Sequence, residues 1–122
     1  MEWNLSGDRP IYLQLCEQIT LHLVSGAWPP GGRLPSVREL AVDAGVNPNT
    51  MQRALAQLEN EGLIITHRTA GRMVTEDAAA LDRVRERLAQ TKIEEYLSGM
   101  ATLGYGTADA IALLQRKELP NG

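Results

Sequence analysis

The sequence predicts a mainly α fold with one small β-hairpin, in which a small N-terminal domain is followed by a two-helix tail. Three observations carry this expectation. Apolar residues recur at helical spacing in five segments bounded by proline, glycine or a capping residue. Residues 63–75 carry two short runs with β-branched content about a turn. The fourth helical segment runs to about 25 residues, roughly 37 Å, which is too long for the small preceding domain to cover.

Pro10 sits where a first helical turn tolerates proline, and Tyr12, Leu15, Ile19 and Leu23 follow at spacings of 3, 4 and 4. Ser25 and Gly26 end that helix. The run Trp28-Pro29-Pro30-Gly31-Gly32 reads as a tight loop, because prolines lack an amide donor and glycines favour turns. Ser36 is an N-cap with Glu39 as its capping-box partner, and Val37, Leu40, Ala41 and Ala44 form the stripe of a short helix that ends at Gly45. Asn47 caps the next helix with Pro48 at its first position, and Met51, Ala54, Leu55 and Leu58 repeat the stripe before Gly62. The result is two short helices joined at Gly45-Val46.

Strands are expected over 63–66 and 72–75, with Thr69-Ala70-Gly71 as the turn. A long helix then spans 78–102. Its Leu81, Val84 and Leu88 share one side, while Ile93, Tyr96, Leu97 and Met100 lie roughly 130° around it. The second stripe is expected to meet a second copy of the chain. Gly104-Tyr105-Gly106 breaks the helix, and Thr107 caps a last one through Lys117, with Asp109 near its start and Arg116 and Lys117 near its end as the macrodipole prefers. The expected division is therefore 1–75 for the first domain and 76–122 for a helical dimerisation region.

Composition narrows the classes. At 122 residues the chain is too short for a large multidomain enzyme, and 43% hydrophobic against 22% charged residues excludes disorder. No apolar run approaches a membrane span, and Met1-Glu2-Trp3-Asn4 lacks the basic start and apolar core of a signal peptide, so a cytoplasmic protein with no membrane partner is expected. One cysteine, Cys16, excludes an internal disulfide. The net charge of −3, taken alone, argues mildly against nucleic acid. Between residues 33 and 72, however, Arg33, Arg38, Arg53, Arg68 and Arg72 face only Glu39, Asp43, Glu59 and Glu61, a net of +1. Binding to phosphate then requires the arginines to share one face.

Catalytic and metal chemistry find little support. His22, His67 and Cys16 do not come at metal-ligand spacing, so no metal or other cofactor is expected. No carboxylate accompanies a phosphate loop or an activated nucleophile, so the chain is not read as an enzyme. Cys16 reads as a small buried residue rather than a redox sensor, and Trp3 and Trp28 as hydrophobic lids on the first helix. Tyr105 either anchors its turn or lines a pocket.

The order helix, short helix, turn, helix, hairpin is that of a winged helix-turn-helix, whose second paired helix enters the major groove of DNA. Over residues 9–75 the chain resembles the GntR family of bacterial transcription regulators. The resemblance rests on Pro10-Ile11-Tyr12-Leu13-Gln14-Leu15, Gly26-Ala27-Trp28-Pro29-Pro30-Gly31 and Leu34-Pro35-Ser36-Val37-Arg38-Glu39-Leu40-Ala41, and continues through Val46, Thr50, Arg53-Ala54-Leu55 and Leu58-Glu59-Asn60-Glu61-Gly62-Leu63. The short tail resembles the YtrA subfamily, whose members dimerise there. The resemblance implies a homodimeric repressor binding an inverted repeat in double-stranded DNA. The alternative from another class is a winged-helix module that docks protein, separable by the salt dependence of DNA binding.

Residue by residue, the arginine of the Leu-Pro-Ser motif touches DNA in the resembled family, which implicates Ser36 and Arg38; the other reading of Arg38 is a pairing with Asp43. Asn47, Asn49, Thr50, Gln52 and Arg53 occupy the first turns of the recognition helix, where Asn and Gln suit adenine and Arg suits guanine. Asn47 either caps or reads. Asn47-Pro48 stands where the family has a serine-arginine pair, so one arginine contact is absent and the operator does not transfer from relatives. Arg68, Gly71 and Arg72 form the wing tip, either inserted in a minor groove or exposed as a plain turn, with Thr69 in place of a first wing glycine. Arg33 suits a phosphate. Dimerisation falls to Ile93, Tyr96, Leu97 and Met100, and no small-molecule effector is indicated.

Overall fold

The computed structural model describes residues 1–117. Its first helix, α1 (Ile11–Val24), starts directly after Pro10, whose φ of −52° suits the position. Leu15, Ile19 and Leu23 are buried as their spacing predicts, and Gln14 is buried with them. That amide is fully employed. Its oxygen accepts from the Ser6 N–H at 2.8 Å, and its nitrogen donates to Ser6 O and Arg9 O, each at 2.8 Å. One turn on, Gln18 accepts from the Asn4 N–H at 2.9 Å and donates to Asn4 O at 2.7 Å. Two glutamine side chains thus pair with the N-terminal arm as a strand edge would, which brings Trp3 and Leu5 against the core.

Helix α2 (Val37–Ala44) carries the expected capping box: the Glu39 N–H donates to Ser36 Oγ at 3.1 Å, and the Ser36 N–H to Glu39 Oε1 at 3.3 Å. Gly45 ends it at φ 70°. Helix α3 (Pro48–Asn60) begins at Asn47, whose side chain accepts from the Asn49 N–H at 2.7 Å. Met51, Ala54, Leu55 and Leu58 bury the inner face of α3.

Strands β1 (Ile64–His67) and β2 (Gly71–Val74) pair antiparallel from Ile64↔Val74 to His67↔Gly71. Each strand lies one residue closer to the turn than the expected 63–66 and 72–75, which leaves residues 68–70 between them. Gly71, with φ 81°, is the first residue of β2 rather than the last of the turn, and the Thr75 hydroxyl already accepts from the Asp77 N–H ahead of the next helix. Gly31 and Gly32, expected as loop, and Arg33 and Leu34 after them lie along the other edge of β2. The Gly31 N–H donates to Val74 O, the Val74 N–H to Gly32 O and the Leu34 N–H to Arg72 O, at 2.8 to 3.0 Å, with a bridge between Arg33 and Met73.

The core of the first unit, Met1–Val84, joins these elements through Leu15, Ile19, Leu40, Leu55, Ile64 and Val74 and includes Leu81 from the start of α4 (Ala78–Thr102). The second unit runs from Arg85 onward and holds the rest of α4 and α5 (Thr107–Gln115). Gly106, not Thr107, is the N-cap of α5: its N–H donates to Asp109 Oδ2 at 3.0 Å, and Thr107 is the first helical residue. The helix ends at Gln115 rather than Lys117, with Arg116 as its C-cap. Tyr96 Oη donates to Ala110 O at 2.9 Å and ties α4 to α5 over the buried Ala110. Tyr105 bonds through its backbone N–H to Met100 O at 3.0 Å while its side chain stays exposed, so it anchors the turn.

Candidate nucleic-acid interface

The inner stripe of α3 is committed to the core, so the residues between its buried positions face outward. Asn49, Gln52 and Arg53 are exposed and Thr50 is half-buried. Asn47 performs the cap: its side-chain oxygen is held by the Asn49 N–H. Arg53 stacks on Tyr12, with its guanidinium carbon 3.6 Å from the ring centroid. Asn49, Thr50 and Arg53 line one concavity with Pro10, Ile11 and Tyr12, so the start of α1 borders the outward face of α3.

Arg38 is exposed on the first turn of α2 and forms no ion pair with Asp43. Asp43 instead accepts from Trp3 Nε1 at 2.8 Å, and the terminal ammonium of Met1 lies 3.7 Å away. The same carboxylate that was the alternative partner of Arg38 is thereby engaged by the arm. The indole of Trp3 covers the core and also finds a polar partner, a use suited to an amphipathic ring.

The wing and residues 31–34 position three more arginines differently. Arg68 is exposed in the turn, and Arg33 is exposed on the segment that flanks β2. Arg72 is half-buried, and its Nε is buried without a hydrogen-bond partner. Arg33, Ser36, Glu39, Gly71 and Arg72 line a concavity of about 590 Å³ together with Trp28 and Pro35. Ser36 enters it with its hydroxyl already accepting from Glu39. Its two arginines against the single carboxylate of Glu39 give the recess a net positive charge suited to an oxyanion.

Of the four residues expected at a copy-to-copy contact, Ile93, Tyr96 and Leu97 line an apolar groove of about 430 Å³ in the second unit, with Ile111 and Leu114 opposite and Lys92 and Thr107 at the edge. Met100 is half-buried but does not line it. Ile111 and Leu114, 50% and 55% exposed, were not among the expected residues. Their i, i+3 spacing on the last helix is the signal that points to them.

Titration adds little chemistry. Burial, reinforced by Glu61 and Glu17, pushes the Cys16 thiol up to about 11, and its Sγ lies 3.5 Å from Ala54 O. It is therefore a protonated, half-buried thiol at neutral pH. Burial lowers His22, whose ring meets Trp28 edge-on with centroids 4.5 Å apart. Among the described residues no three His, Cys, Asp or Glu side chains converge as metal ligands, and no helix is long and apolar enough to cross a membrane.

Comparison with known proteins agrees with this geometry. The model of the family described as bacterial regulatory proteins, gntR family, matches residues 11–74. The HTH-type transcriptional repressor YtrA of Bacillus subtilis (strain 168) is 37% identical over 100 residues, 77% of this chain and 77% of that protein. The solved structure of a GntR family transcriptional regulator from Listeria monocytogenes superposes with a TM-score of 0.83 at 36% identity, covering 93% of this chain and 100% of that one. A crystal structure of AraR(DBD) in complex with operator ORX1 superposes with a TM-score of 0.57 at 26% identity over 62% of this chain and 96% of that one.

Proposed function

The chain belongs to the gntR family of bacterial regulatory proteins, and on that premise we propose that it is a homodimeric repressor that binds an inverted-repeat operator in double-stranded DNA. The observation that carries this reading is the outward face of α3. There Asn49, Gln52 and Arg53 keep side-chain donors uncommitted, and Arg38 on the first turn of α2 is exposed as well. An uncommitted donor on a helix of this size suits a base edge in the major groove. AraR(DBD), a structural neighbour, was solved with its operator, and YtrA is named a repressor.

In this reading α3 lies in the major groove and Gln52 and Arg53 read bases. Arg38 and the Arg33–Arg72 recess hold phosphates, which suits the inward placement of Arg72, and Arg68 at the tip is left to approach the minor groove. Two copies meet through the groove of Ile93, Tyr96, Leu97, Ile111 and Leu114 and present half-sites about 34 Å apart. Arg53→Ala weakens operator binding by about 1–3 kcal/mol and relaxes one base preference.

The test is fluorescence anisotropy of the full chain on labelled duplex DNA over a salt series. About six phosphates neutralised per dimer predict a slope of log affinity against log salt near −5. A slope near zero, with affinity instead for a protein, would move the reading to a docking module.

A further inference from the structure

Arg53 is not held the way most surface arginines are held. Its guanidinium carbon sits 3.6 Å above the Tyr12 ring, well within the distance of about 6 Å at which the ring quadrupole attracts a cation. An ion pair with a carboxylate would occupy the N–H fork of an arginine. A ring beneath its plane holds the group while leaving the edge N–H donors pointing outward. Among the described residues no carboxylate pairs with Arg53, and Tyr12 is the side chain that fixes it. Tyr12 itself is half-buried in the first turn of α1, two residues after the φ-restricted Pro10 that caps the helix, so the platform sits on ordered backbone.

We propose that Tyr12 is a positioning residue for DNA recognition, whose ring face sets Arg53 in its DNA-reading pose before the duplex arrives. The inference rests on the reading that Arg53 contacts the operator. A long side chain normally surrenders its rotamer freedom on binding, and a stack that has already fixed the plane lowers that cost. It also restricts the directions in which the fork can point, so the ring contributes to which base is preferred as well as to how tightly it is held. The ring face supplies the attraction, and the hydroxyl does not enter it.

The test is a double-mutant cycle on duplexes enriched from a random library by the parent protein, with affinities measured on the enriched sequence and on variants changed at each base pair. Tyr12→Phe keeps the ring and binds within about twofold of the parent. Tyr12→Leu loses the stack, binds about two- to fivefold more weakly and flattens the preference at the same base pair that Arg53→Ala flattens. In the Arg53→Ala background, Tyr12→Leu has no further effect. Thermal unfolding confirms that each variant is folded, and Tyr12→Met, which keeps apolar bulk without a ring face, replaces Tyr12→Leu if that variant does not fold. Equal losses in both backgrounds, or a loss spread over all base pairs with preferences intact, would overturn the positioning role while leaving Arg53 as a DNA contact. Parent-like binding by Arg53→Ala on every duplex would overturn the contact itself and the proposal with it.

Discussion

Replacing Gln14 by leucine should unfasten the N-terminal arm and cost about 2 kcal/mol of stability. The buried amide, 4% exposed, makes three hydrogen bonds of 2.8 Å to Ser6 and Arg9. At a net value of about 1 kcal/mol each they set a ceiling of about 3 kcal/mol. Leucine in the same slot returns about 1 kcal/mol of apolar burial, since the released backbone groups of an arm can turn to water. The assay is urea unfolding followed by tryptophan fluorescence, paired with hydrogen exchange at the Ser6 amide, which loses its acceptor in the variant. Gln14→Glu is the control. It keeps an acceptor for the Ser6 N–H but sets a charge against two carbonyl oxygens, so it should destabilise more than leucine at neutral pH. Stability within 0.5 kcal/mol of the parent for Gln14→Leu, with Ser6 exchange unchanged, would refute the clasp.

Three further outcomes follow from particular residues. Gly45→Ala meets open space but must keep φ near 70°, so it should lose about 1 kcal/mol, and Gly45→Asn less, in the same unfolding assay. With its thiol pushed up to about 11, native Cys16 at pH 8 should have about one molecule in a thousand ionised, against about one in ten at the ordinary thiol value of 9.0. Reaction with a disulfide reagent should therefore be about a hundredfold slower than in urea, and comparable rates would contradict it. Ile93→Asp places a charge in the apolar groove, so if the proposed dimer forms there, sedimentation at micromolar concentration should show a dimer for the parent and a monomer for the variant; the same mass for both would dissociate the groove from assembly.

Much of the first unit was legible because its signals are local. The capping box of Ser36 and Glu39, the cap of Asn47 before Pro48 and the stop at Gly45 each depend on residues within one turn, and all three form as the spacing predicts. What escaped depends on partners far along the chain. Gln14 and Gln18 lie on the inner side of α1, but nothing in their own spacing says that an irregular arm will supply matching backbone groups. The bridge from Arg33 to Met73 needs two segments that the hairpin alone does not bring together, and it decides which way Arg33 and Arg72 face. The stack of Arg53 on Tyr12 joins two helices, and the stripe that assigned Tyr12 to the core concealed it. At the last helix the cap fell to Gly106 because the reciprocal bond to Asp109 needs only a backbone N–H, which left the Thr107 hydroxyl without that role.

Operator recognition is open to a direct measurement: selection of bound fragments from random duplex DNA by the purified full chain, sequenced at near-physiological salt. A dimer reading bases from α3 should enrich an inverted repeat with half-sites about one helical turn apart, whose strongest positions change when Gln52 or Arg53 is replaced. No enrichment from protein shown to be folded, or enrichment indifferent to both replacements, would contradict that reading.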